Sequence, residues 1–151
     1  MSRFKIAMFR ARSYNASMKN RSLILLVALA IVSIAAGPPN FAGEYADRNF
    51  LSGQATFQMS LEQSGSVVAV WFSAGYNDGH GLQPVADGNG KITSKGTVEF
   101  TFKDSARNAG TGTIMRAGDD IIVSLKTTRV ADSRCAELYR QNMRLKKVGK
   151  K

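Results

Sequence analysis

From Ala55 to Glu62 the chain alternates without a break. Ala55, Phe57, Met59 and Leu61 share one face, and Thr56, Gln58, Ser60 and Glu62 share the other. Successive side chains on a strand point to opposite sides, so this run predicts a strand with one buried face. Gln63-Ser64-Gly65-Ser66 interrupts it, and glycine tolerates the positive φ that tight hairpin turns require. Val67–Phe72 follows and is apolar on both faces. Gly53–Ala74 therefore reads as one hairpin whose second strand needs cover on both sides. The later segment Asp132–Leu138, or a partner, is the expected cover for its outer face.

The rest of the chain repeats the pattern. Phe41–Ala46 reads as a first strand, with Asp47-Arg48-Asn49 as its turn. Thr97–Lys103 places Val98, Phe100 and Phe102 on one face; Gly110–Arg116 does the same with Gly112 and Ile114, and the next strand with Ile121, Val123 and Leu125. Between Gly75 and Gly96 lie six of the 14 glycines. There Asp87-Gly88-Asn89-Gly90 reads as a hairpin turn between short strands at Leu82–Val85 and Lys91–Thr93. A helical turn near Asp132–Leu138 and a closing strand over Tyr139–Lys146 complete the reading. Strands every 8–12 residues joined by short turns predict an all-β fold, a single antiparallel meander. About eight such strands close into a small up-and-down barrel, which removes exposed sheet edges.

Residues 1–35 differ from the remainder. They hold six basic residues, no acidic residue and no glycine, and Leu23–Ala36 is almost continuously apolar. Basic leader, short apolar core and small residues at its end make a signal peptide, so the protein is expected to be exported, to the periplasm or outside the cell. The apolar run is short of the roughly 20 residues that span a bilayer. A start at Met18 gives a more compact leader. The expected organisation is then a signal peptide over 1–35, a linker over 36–40, a β-barrel domain over 41–146 and a basic tail over 147–151.

The leader also explains much of the charge. The chain carries 21 basic and 11 acidic residues, net +10. Without the six leader cations, 15 face 11, and Lys146, Lys147, Lys150 and Lys151 supply much of that excess. Nucleic-acid binding is accordingly not expected. Weak contact of the tail with anionic surfaces is. Cys135 is the only cysteine, so the domain rests on its apolar core without an internal disulfide.

Gly43-Glu44-Tyr45 on the first strand, a meander, and a late basic residue at Arg140 or Arg144 together resemble the calycin plan of lipocalins and avidins. There a Gly-x-Trp on the first strand packs near a late Arg at the closed end of the barrel; Tyr45 stands here where Trp is typical. The resemblance implies a lipocalin-like barrel and carries no particular ligand.

Candidate functional residues fall into two groups. If the barrel is hollow, Phe57, Met59, Trp71, Phe100 and Phe102 are its expected apolar lining for a small apolar ligand. If it is filled, recognition passes to the loops, where Tyr76, Asp78 and His80 are the groups to test against an envelope protein. His80 is the sole histidine, and Asp78 is placed to orient it as a general base requires. No nucleophile elbow accompanies them, so an enzyme, a hydrolase on Asp78 and His80, is the alternative to a non-enzymatic binding module. A structural envelope-associated protein is a further alternative. No cofactor or metal is expected: Asp87–Ile92 matches only the middle of a calcium loop, whose first and twelfth positions are Val85 and Gly96 rather than acids.

Overall fold

The computed structural model describes Gly37 and residues 39–148. The signal-peptide segment, the alternative start at Met18, Pro38 of the linker and Lys150 and Lys151 of the tail lie outside the described residues. Eight strands run β1 Gly43–Phe50, β2 Ala55–Ser64, β3 Val67–Tyr76, β4 Val85–Ile92, β5 Val98–Asp104, β6 Ala109–Ala117, β7 Asp120–Arg129 and β8 Met143–Lys147. Each pairs antiparallel with the next, and β8 returns to β1, closing the barrel in strand order. The architecture is an all-β meander, compatible with the calycin plan. A 3-10 helix over Ser133–Leu138, capped by the Asp132 side chain, separates β7 from β8.

The inward faces are those the alternation selects. Phe57, Met59, Val98, Ile114, Ile121 and Val123 are fully buried, and so are Val68 and Phe72 of β3. The interior is filled by aromatic rings in succession. Phe50 meets Phe57 at 5.5 Å between centroids, Phe57 stacks on Phe72 at 5.5 Å, Phe72 meets Phe102 at 5.2 Å, and Phe102 meets Tyr139 at 5.6 Å.

Several expected details are corrected. Asp87–Gly90 is no turn but the middle of β4, and the real turn lies at Thr93–Thr97, where Gly96 adopts φ 73° and its N–H donates to the Thr93 carbonyl at 2.9 Å. The reason is non-local. Gly88 and Gly90 lie opposite Phe102 and Phe100 of β5, which lie in turn opposite Gly110 and Gly112 of β6. A Cβ on Gly110 would sit 2.7 Å from the Phe102 ring, and one on Gly90 would sit 2.8 Å from the Phe100 Cβ. The glycines leave room for two rings instead of bending the chain.

The first turn is also displaced. β1 continues through Asp47-Arg48-Asn49 with a bulge, and the chain reverses at Leu51–Gln54 through positive φ at Leu51, Ser52 and Gly53. The closing strand starts at Met143 rather than Tyr139, because Tyr139 turns inward to a polar cluster. The 3-10 helix does not cover the outer face of β3. It turns Cys135 and Leu138 into the core, leaving Val67 46% and Trp71 41% exposed.

Candidate functional site

The two ends of the barrel are built differently. At the end where the chain enters, the Tyr45 hydroxyl donates to the Phe41 carbonyl at 2.9 Å and accepts from the Arg116 guanidinium at 3.3 Å. Arg116 of β6, not Arg140 or Arg144, is thus the basic partner of the Gly-x-aromatic motif. Arg144 instead reaches Asp120 at 3.0 Å, and the Arg140 side chain donates to the Glu137 carbonyl at 3.2 Å. Burial raises the Tyr45 phenol above its ordinary range, and the facing Arg116 opposes that rise.

The opposite end is closed by a buried polar cluster that has no periodic signal in the sequence. Asn108, fully buried, donates through its side-chain amide to Asp104 Oδ2 at 2.9 Å, and its backbone N–H donates to Asp104 Oδ1 at 2.8 Å. Its carbonyl oxygen accepts from the N–H groups of Ala131 at 2.7 Å and Asp132 at 3.0 Å. The Tyr139 hydroxyl donates to Asp104. The cluster therefore ties the β5–β6 turn to the segment leading into the 3-10 helix. Burial, then the hydrogen bond to Asp104, raises the Tyr139 phenol well above its usual range. Burial likewise raises the Cys135 thiol, with the Asp104 charge adding to it. Every partner here is satisfied, so the cluster reads as a structural plug.

Of the sequence-expected site residues, Phe57, Phe100 and Phe102 come together inside the barrel, whereas Trp71 faces outward and Asp78 and His80 project from a loop. Phe57, Phe100 and Phe102 are buried among other side chains of the filled interior, with Met59 beside them. Tyr76, the last residue of β3, packs against the core, and Gly81 of the β3–β4 loop lies against its ring. Asn77 stitches that loop to the first turn, donating to the Gly53 carbonyl at 2.8 Å and accepting from the Thr56 hydroxyl at 2.9 Å. Asp78 and His80 project outward, with Nδ1 to Oδ2 at 3.7 Å and the side chains 66% and 90% exposed. Among the described residues no group of three or more His, Cys, Asp or Glu side chains is placed to hold a metal ion. Lys146 and Lys147 are exposed at the end of β8.

The outer wall carries a groove. A groove of about 860 Å3 crosses β4 to β7, floored by the backbone of Gly90 and Gly112 and edged by Val67 and Gln141. A second depression of about 510 Å3 shares Asn89, Thr101 and Thr111 with it and continues toward Lys103 and Thr128. The register explains the assembly. Ala69, Asn89, Thr101 and Thr111 lie side by side on adjacent strands, with Lys126 next to Thr111. On one flank Lys91 lies opposite Glu99, and on the other Asp87 lies opposite Lys103. Trp71 lies opposite Asp87, diagonal to Asn89, a separation of about 7–8 Å on one sheet face. The outward positions of Thr101 and Lys103 are legible in the alternation of β5, but their side-by-side assembly with β4 and β6 is not, because register joins strands distant in sequence.

Comparison with family models, with curated proteins and with solved structures returns no match to this chain.

Proposed function

We propose that this chain is an exported, non-enzymatic binding module that recognises its partner with the outside of its barrel. One observation carries the reading. The interior volume is taken by the chain's own rings, from Phe50 to Tyr139, whereas the long groove and the exposed Trp71 lie on the outer wall. A small-molecule carrier needs an internal void of some hundreds of Å3, and rings in contact at 5.2–5.6 Å between centroids take up space there. A large aromatic left in water on a folded wall favours contact with something else. The β3–β4 loop, held by Asn77 and Tyr76, then serves to close the barrel end.

A photoreactive benzophenone residue at Thr111, compared with one at Asp119 in the β6–β7 turn, tests this in cells that produce the chain. A covalent adduct at Thr111 and none at Asp119 is expected. Adducts absent from both positions overturn it, and so does a stoichiometric apolar molecule retained by the purified protein in native mass spectrometry.

A further inference from the structure

We infer that the outer groove takes an uncharged glycan chain. The inference rests on the outer-face reading above and names its ligand class. Three features support it. The central row, Asn89, Thr101 and Thr111, offers amide and hydroxyl groups that both donate and accept hydrogen bonds, the chemistry that sugar hydroxyls require. Its flanks balance their own charge, with Lys91 opposite Glu99 and Lys103 opposite Asp87. Lys126 at one end of the row and Glu62, opposite Ala69 at the other, lack an opposite charge in register, and their two signs cancel across the surface. A surface so balanced gains little from an anionic or cationic ligand. Exposed aromatic and Arg anchors, which dominate protein–protein hot spots, do not line the groove itself. The third feature is Trp71, 41% exposed and diagonal to Asn89, which presents a flat apolar face where the C–H face of a sugar ring can stack.

Dimensions agree with an extended chain. The row from Ala69 through Asn89, Thr101 and Thr111 to Lys126 crosses five neighbouring strands. At about 4.8 Å per strand it runs about 19 Å, long enough for several linked sugar rings and longer than a monosaccharide fills. The threonine methyls, Val67, Ile92 and the glycine backbone of the floor supply the apolar component that the faces of sugar rings match.

Trp71 is the only tryptophan, so the intrinsic emission of the full-length protein reports from the edge of the site. Neutral hexasaccharides of glucose, xylose, mannose and N-acetylglucosamine serve as probes, with the matching disaccharides and a sulfated heparin hexasaccharide for comparison. At least one neutral hexasaccharide is expected to shift the emission saturably and more strongly than its disaccharide. Trp71→Ala, read by calorimetry, weakens binding about tenfold, and Thr111→Trp, which projects a bulky ring from the row, removes it. Both positions face outward, and unchanged far-ultraviolet dichroism verifies the fold of each variant. The inference is overturned if no neutral hexasaccharide binds, if the sulfated one binds better, or if Thr111→Trp leaves affinity intact. The outer-face reading is scored separately: a Thr111 photo-adduct that proves to be a protein, with no glycan response, sinks the glycan and leaves the outer face standing, whereas the absence of both sinks the two together.

Discussion

Replacing Gly112 with alanine measures how tightly the interior rings are held. Gly112 lies opposite Phe100, which lies on its other side opposite Gly90. A Cβ at position 112 would overlap the Phe100 Cζ and Cε1 and sit 3.0 Å from Leu125 Cδ2. The ring has little freedom to retreat, because Phe102 lies at 6.3 Å between centroids and Phe100 is only 3% exposed. Overpacking of this kind costs about 1–3 kcal/mol. The lost flexibility of the unfolded chain works the other way, by about 0.4–1 kcal/mol, so overlap wins and the net cost is roughly 1–2 kcal/mol. For a domain of this size the melting midpoint should fall by roughly 5–10 °C, read by circular dichroism or calorimetry. Thr113→Val on the outward side of the same strand should stay within about 0.5 kcal/mol. Combining Gly112→Ala with Phe100→Leu should be less damaging than the sum of the two changes by at least about 0.5 kcal/mol, since the shorter side chain removes the overlap. A melting point for Gly112→Ala equal to or above the parent's, or strict additivity in the double variant, would refute the interleaved-ring account.

Two further outcomes follow from the barrel's plugged end. The Tyr139 phenol is raised in the folded protein, so the native state keeps a proton that the unfolded chain releases near pH 10. Stability is therefore whole below that pH and declines above it, by up to about 1.4 kcal/mol per pH unit for this group; urea titrations at several alkaline pH values should show a shallower decline in Tyr139→Phe, and equal slopes would count against the buried-phenol account. The Cys135 thiol is buried and raised, so Ellman's reagent at about pH 8 should label the native protein only as fast as it opens and the denatured protein at once; rapid labelling without denaturant would place the 3-10 helix away from the core.

One-faced strands were legible because burial on a strand has period two. Ala55–Leu61, Val98–Phe102 and Ile121–Leu125 each place their large residues inward as the alternation requires. Asp87–Gly90 misled for a definable reason. Asp-Gly and Asn-Gly encode turns through local backbone freedom, but here the glycines answer to Phe100 and Phe102, ten or more residues further on. Nothing within residues 87–90 distinguishes the two demands. Arg116 escaped for a similar reason: its link to Tyr45 spans 71 residues. Asp104, Asn108 and Tyr139 form their cluster across three segments, and polar residues beside turns ordinarily read as solvated. The outer face of β3 shows the opposite limit. Val67 and Trp71 look the same in sequence whether or not another element of the chain covers them, and only the placement of the 3-10 helix at the barrel end shows that it leaves them exposed.

The filled interior and the groove outside belong to one piece of wall. Gly90 and Gly112 floor the groove on its outer side, and Phe100 occupies their inner side. With no Cβ at either position the wall there is only a backbone thick, so the ring that consumes the interior also backs the groove. Side chains in place of these glycines would push Phe100 away and with it β5, which carries Thr101 between Asn89 and Thr111. The glycine–phenylalanine ladder is therefore both the packing device of the core and the support that holds the row of amide and hydroxyl groups in line. A dense interior and a regular outer row thus depend on the same four glycines, Gly88, Gly90, Gly110 and Gly112, because each faces Phe100 or Phe102 across the sheet.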